Sequence, residues 1–262
     1  MSQKYFDIHS HIHFPEYESD ILSVLGRMKE SGVCTITVGT DTASSQRAID
    51  FAEHNENVFA SVGLHPGDNT KEVFVRDEYA KLVSSQKAVA IGECGLDYFR
   101  LADGSEEEKK RQKNEFEKQI QFAIDYNKPL MLHVRDAYED ALDILNIYKK
   151  KYGDKLRGNS HFFAGDLVVA KKLLDIDFTM SFTGVLTFAR NYDEVVKYLP
   201  LTHIMSETDA PYVAPVPFRG KRNEPEYVKY VVQAIADIRQ ESIDSVAPIL
   251  YKNAINFFGL KM

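Results

Sequence analysis

Short apolar runs alternate with longer amphipathic stretches from one end of the chain to the other. The runs occupy residues 5–9, 33–38, 58–64, 88–92, 129–133, 157–162, 178–182 and 203–206, and each reads as a strand. Between them, apolar residues recur at helical spacing over 20–31, 43–55, 71–84, 106–126, 137–152, 167–174 and 193–198. Two further helical stretches, 226–239 and 243–258, follow the last run. Eight strands alternating with helices predict an α/β protein built as one (β/α)₈ barrel over residues 1–262. A doubly wound open sheet is the alternative, and it would more naturally stop at five or six strands. The most irregular segment is 209–224, which carries Pro211, Pro215, Pro217 and Gly220 just after the eighth strand.

In a parallel barrel the C-terminal strand ends open onto one face, and active sites are built there. The polar residues at those ends are His9 and His11, His65, Glu93, His133 with Arg135, His161, and Glu207 with Asp209. Alternation along the first strand points His9 and His11 the same way, so they can share one ion. Each residue taken alone is readily a structural group; so regular a series at strand ends points to a metal site.

Four imidazoles and two or three carboxylates are too many ligands for one ion and match two. Two ions roughly 3.5–4 Å apart can hold both the attacking and the leaving oxygen of a displacement, and they lower the pKa of a shared water towards about 7. Nitrogen and oxygen donors without thiolate suit Zn, Mn, Co or, less strongly, Mg. Cys94 faces away from Glu93 by parity and reads as core.

Charge narrows the partners. A formal net charge of −7 argues against a sequence-independent DNA coat, which needs broad positive surface. It leaves room for an enzyme that grips a few phosphates locally. No apolar run approaches the roughly 18 residues of a membrane span, the N-terminus enters a strand with no basic-then-apolar leader, and no obligatory protein partner is evident. Two cysteines make no disulfide framework, so the cytoplasm is the expected compartment.

Other polar residues have plain readings. His13, His54 and His203 show no strand-end pattern. Lys109, Lys110, Arg111 and Lys113 open a Glu-rich helix and read as a solvated face. Arg219, Lys221 and Arg222 read equally as nucleic-acid contacts or a structural latch. Asp97 reads as a partner for a ligand histidine or as a turn cap.

The motifs themselves resemble those of the TatD-type metal-dependent deoxyribonucleases. These are His9-Ser10-His11, Gly63-Leu64-His65-Pro66, Gly92-Glu93-Cys94-Gly95-Leu96-Asp97-Tyr98 and His133-Val134-Arg135-Asp136-Ala137. They continue with Ser181-Phe182-Thr183-Gly184, Glu207-Thr208-Asp209-Ala210-Pro211-Tyr212 and Arg219-Gly220-Lys221-Arg222-Asn223-Glu224-Pro225. His161-Phe162-Phe163 departs from the family, which is expected to carry Cys or a similar small residue after the histidine. The resemblance implies a barrel that hydrolyses DNA phosphodiesters, typically as an exonuclease. It implies one ion held by His9, His11 and Asp209, a second by His133 and His161, and Glu93 between them. It further implies Glu207 as an extra carboxylate that orients water or binds a further ion, and His65 and Arg135 as phosphate contacts.

Two other functions compete. A metal-dependent hydrolase of a small-molecule amide, lactone or ester would use the same barrel. Such relatives often carry a modified lysine on strand four, where this chain has Glu93. A non-catalytic interaction protein on a retired barrel is the third reading, and the complete set of ligand positions argues against it.

Overall fold

The computed structural model describes residues 4–68, 71–99, 101 and 105–261. Its strands are β1 (Tyr5–Ser10), β2 (Val33–Val38), β3 (Val58–Val62), β4 (Ala88–Asp97), β5 (Leu130–Arg135), β6 (Gly158–Ser160), β7 (Thr179–Phe182) and β8 (Ile204–Ser206). Each pairs in parallel with the next, in the order β1 to β8. The last gap is bridged by backbone: the Asp209 N–H donates to the His9 carbonyl at 2.9 Å, and the His11 N–H donates to the Ala210 carbonyl at 2.7 Å. The result is a nearly closed (β/α)₈ barrel.

Helices α1 (Ile21–Ser31), α2 (Thr42–Glu53), α3 (Arg76–Val83), α4 (Glu106–Asp125), α5 (Tyr138–Tyr152), α6 (Leu167–Asp175), α7 (Asp193–Tyr198), α8 (Val228–Arg239) and α9 (Ile243–Phe258) complete the chain. Local chemistry sets several ends. The Asp41, Asp166 and Ser242 side chains cap α2, α6 and α9 by accepting a backbone N–H three residues on. Gly32 and Gly259 close α1 and α9 in the left-handed conformation that glycine adopts freely. Strands buried on both faces need apolar residues throughout, and β2 and β3 have no exposed position. Phe116, Phe122 and Phe178 are fully buried in the main core, and each such ring stabilises the fold by about 1.5–3 kcal/mol.

Four elements differ from the sequence pattern. Strand pairing on β4 continues five residues past 92, because its glycines let it run against β5. The β6 and β8 pairings shrink to three residues each, and Leu201–His203 becomes a turn of 3-10 helix ahead of β8. The 71–84 helix begins only at Arg76.

Candidate metal centre

β1 delivers the first donors. The β1–β2 register shifts between Asp7 and Ser10, so simple alternation breaks where the histidines sit. His9 and His11 converge nonetheless, their Nε2 atoms 3.3 Å apart. His11 Nδ1 donates to the Val38 carbonyl at 2.8 Å, which leaves its Nε2 lone pair facing the cavity. His9 is fully buried, and its Nδ1 has no hydrogen-bond partner among the described residues.

Glu93 sits at the centre. It can lie there because β4 passes β5 more closely than side chains allow. A Cβ on Gly92, at φ +150°, would stand 2.4 Å from the Met131 carbonyl oxygen, and one on Gly95, at φ +142°, would stand 2.0 Å from that of His133. One Glu93 oxygen is 2.7 Å from His133 Nδ1 and 2.8 Å from His161 Nε2. The other is 3.4 Å from His9 Nε2 and 3.8 Å from His11 Nε2. Burial alone would raise the pKa of this carboxyl, yet the His161, His9 and His133 imidazoles hold it well below the ordinary carboxylate range. The converse holds for His161. Burial opposes its charge, while Glu93 and then Glu207 push its pKa well above the usual imidazole value.

Neighbours orient the remaining donors. Asp97 Oδ2 lies 3.0 Å from His133 Nε2 and orients the ring so that Nδ1 points at Glu93, a carboxylate oxygen facing each nitrogen. The other Asp97 oxygen accepts the Phe99 N–H at 3.0 Å, so both readings of Asp97 hold together. His65 Nδ1 accepts from the Gly67 and Asp68 N–H groups, both at 3.1 Å. Its Nε2 therefore carries the proton, 3.7 Å from Glu93. Burial, and then His133 beside it, pushes the His65 pKa down to about 3, so the ring is a neutral donor.

Asp209 stands with His9 and His11, its carboxylate 3.7 and 3.6 Å from their Nε2 atoms. Its backbone is left-handed, φ +54°, and the adjoining segment is clamped from two sides. Asp7 accepts the Thr208 N–H at 2.8 Å and the Thr208 hydroxyl at 2.7 Å. Asn223 Nδ2 donates to the Thr208 and Tyr212 carbonyls at 2.9 and 2.6 Å. Strained backbone is held only where its surroundings over-determine it, and this double clamp does so.

His11, His65, Glu93, His133, Arg135, His161 and Asp209 line one cavity of about 800 Å³ at the C-terminal face of the barrel, with Phe14 and Tyr212 beside His11. Three compact donor groups lie within it or just beneath: His9, His11 and Asp209; His9, Glu93 and His161; and His65, Asp97 and His133. Arg135 is exposed at the rim. No carboxylate pairs with it among the described residues, and its guanidinium lies 3.5 Å from the Phe99 ring centroid.

Glu207 takes a different seat. It is fully buried, accepts the Phe162 N–H and the Ser181 hydroxyl (3.0 Å), and lies 3.7 Å from His161 Nδ1. That distance supports attraction, not a hydrogen bond. His13 bonds Thr37 and Ser44, His54 bonds the Asp50 carbonyl, and His203 bonds Asp177; none lines the cavity. Arg222 is a latch: it grips Asp20 through two 2.7 Å bonds and the Glu16 carbonyl at 2.7 Å, pinning the loop after β8 to the chain before α1.

Some supporting residues carry no strand-end signal. Gln112 and Gln119 both point inward from α4 and each clamps a backbone unit. Gln112 exchanges two bonds with Asp97 (2.8 and 3.0 Å), and Gln119 two with Leu64 (2.8 and 3.0 Å), next to His65. The clue was their seven-residue spacing on the face that also carries Phe116 and Ile120, where an amide has no reason to be unless it is paired. For Asp7 the clue was its place two residues before His9.

The donor set fits divalent ions. His9 and His11 aim ring nitrogens at each other, two buried imidazole nitrogens (His9 Nδ1 and His161 Nδ1) lack partners, and the oxygen and nitrogen donors suit borderline cations. A (β/α)₈ barrel with such a cluster at its strand ends defines a metal-dependent hydrolase.

Comparison with known proteins is specific. The chain belongs to the TatD-related DNase family, whose model matches residues 6–259. It is 37% identical over 259 residues to the "uncharacterized metal-dependent hydrolase YabD" of Bacillus subtilis, covering 97% of this chain and 99% of that one. It is 34% identical over 260 residues to the like-named YcfH of Escherichia coli K12, covering 97% and 95%. The crystal structure of the TatD homologue YJJV from Escherichia coli K12 superposes with a TM-score of 0.89 at 28% identity, covering 98% of each chain.

Proposed function

We propose that this barrel hydrolyses DNA phosphodiester bonds with two divalent ions (Mg, Mn, Zn or Co), acting as an exonuclease on single-stranded or frayed ends. The observation that carries this reading is Arg135: a guanidinium that no carboxylate pairs among the described residues, 3.5 Å from the Phe99 ring centroid and beside the donor cluster. A stacked guanidinium keeps its edge N–H groups free, and that fork matches two phosphate oxygens. The family's description as DNases supports the same reading. The buried free thiols of Cys34 and Cys94 suit a reducing compartment, the cytoplasm.

His9, His11 and Asp209 would hold one ion and His133 and His161 the other, with Glu93 between. Bound there, the ions would supply hydroxide at neutral pH and offset phosphate charge. The chain's own residues do the rest. Arg135 and the His65 Nε2–H hold the non-bridging oxygens. Glu93 and Asp209, both kept ionised, offer oxygens that orient the attacking water and receive its proton. The water's oxygen bonds to phosphorus as the phosphorus–oxygen ester bond breaks, and the leaving oxygen takes up the proton that the water released. Asp97 and Glu207 act from behind, on His133 and His161. Among the described residues no helix is long and apolar enough to cross a membrane.

The decisive comparison sets covalently closed, nick-free plasmid against end-labelled linear single strands, at equal nucleotide concentration and with metal-loaded protein. A concave mouth admits a terminal nucleotide more readily than the side of a duplex, and the acidic chain has little non-specific duplex affinity. Mononucleotides should leave the linear strands well before the circle is cut. Linearisation of the circle first would sink the end-directed reading, and no cleavage of either DNA would sink the DNase reading. Separately, Arg135→Lys is expected to lower kcat/KM on DNA by about 10- to 100-fold, since lysine keeps the charge and loses the fork. Bound metal, counted by elemental analysis, should not change; lost metal would contradict a phosphate role.

A further inference from the structure

Beside the metal cavity, and sharing Val134, Arg135 and Ala164 with it, lies a second, more open hollow of about 670 Å³. Arg135 lines both hollows, whereas Phe99, Tyr98 and Tyr138 line only the second. The guanidinium therefore stands on the partition. Phe99 is 54% exposed, although a phenyl ring gains most by burial. It is not loosely held. Its N–H is fixed by Asp97, which also bonds His133, and the Tyr98 N–H donates to the Arg135 carbonyl at 2.9 Å. An exposed aromatic is thus built rigidly onto the frame of the metal centre.

We propose that this hollow is a nucleobase subsite, where Phe99 stacks the base adjoining the phosphate held by Arg135. The inference rests on the phosphodiesterase reading and extends it to how the substrate is gripped. Aromatic platforms beside a cationic contact are how proteins hold single-stranded nucleic acid without reading its sequence. The rest of the wall argues against a second phosphate. Its charged residues besides Arg135 are Asp136, Glu139 and Asp140. Asp140 is already engaged by Lys113 and the Tyr98 hydroxyl, each at 2.8 Å. Asp136 and Glu139 are exposed and face the hollow as acceptors, which would repel an anion but receive an exocyclic amino group. Adenine, cytosine and guanine carry such a group. Thymine has no exocyclic amino group, only two carbonyls flanking its ring N–H, so the subsite should disfavour it.

The test uses metal-loaded, full-length protein on short single strands. Phe99→Ala should raise KM by about 10- to 100-fold with kcat within about twofold, the size of one base–aromatic contact. On strands whose end-proximal nucleotides are abasic tetrahydrofuran residues, the rise should be much smaller, leaving only what the loss of the Phe99 support costs Arg135. Phe99→Trp should restore the normal KM. Binding is read independently with a non-cleavable strand carrying 2-aminopurine near its end: wild type quenches the fluorescence and Phe99→Ala does not. Wild type should also show a higher KM for thymine-ended than for cytosine-ended strands. An unchanged KM in Phe99→Ala, or an equal rise on abasic strands, overturns the subsite while DNA cleavage stands. Equal KM for thymine and cytosine ends overturns the role given to Asp136 and Glu139. If the wild type cleaves none of these strands, the DNase reading fails and the subsite falls with it. Should Phe99→Ala not fold, the tryptophan variant and the thymine comparison decide.

Discussion

Exhaustive chelation is expected to abolish hydrolysis, and added divalent ion to restore it, with the barrel remaining folded throughout. The reason lies in the donor set. Four imidazoles, those of His9, His11, His133 and His161, crowd around Glu93, and its two shortest contacts are 2.7 and 2.8 Å. Such a cluster has little else to do than hold cations. A large apolar core independent of the site keeps the stripped protein folded. Melting should still shift, because ions bind the assembled site and hardly at all to the unfolded chain. At free ion about a hundred times Kd the stabilisation is roughly 2.7 kcal/mol, or about 5–10 °C in Tm for a chain of this size. Calorimetry on stripped and reloaded protein measures the shift, and elemental analysis verifies the stripping. Full turnover with no detectable metal would refute the metal-dependent reading outright.

The barrel was legible because its signal is periodic. Each of the eight apolar runs became a strand in the expected order, since a strand buried on both faces must be apolar along its length. Boundaries were less legible where pairing depends on distant chain. β4 extends to Asp97 only because Gly92 and Gly95 admit β5; β6 is cut to three residues, and β8 loses its first residue to the 3-10 turn ahead of it. The positions of the candidate donors were legible for the same reason as the strands: the fold gathers strand ends on one face.

What holds those donors was not legible. Asp7 and Thr208 are 201 residues apart in sequence, and Gln119 is 55 residues from Leu64. No local period encodes such pairs. The loop after β8 shows the same limit. Arg222 reads equally as a DNA contact or a latch, and only its Asp20 and Glu16 contacts decide for the latch. Glu207 reads as a residue beside the ions, yet its oxygens are turned to Phe162 and Ser181. A strand-end position places a Cα, and the side chain's neighbours settle where its charge goes.

Glu93→Gln is expected to be more damaging than loss of any one histidine. A single histidine serves one side of the cluster. Glu93 reaches both: one oxygen lies against His133 and His161, the other against His9 and His11. Glutamine keeps the size and one acceptor oxygen. It replaces the other with an NH₂ that donates, so a donor group would face ring nitrogens and any cation between them. The negative charge that the imidazoles hold in place is also lost. Removing that charge should empty one position and weaken the other. Several kcal/mol of transition-state stabilisation would go with it, roughly a 10³-fold or greater fall in kcat. The glycine-built backbone around residue 93 is untouched by this change, so circular dichroism should report a native fold. Elemental analysis should find the metal content reduced by about half or more, and each single His→Ala variant should retain more ion and more rate. Wild-type stoichiometry and rate in Glu93→Gln would show that Glu93 does not bridge, and would move the search for the shared ligand to Asp209.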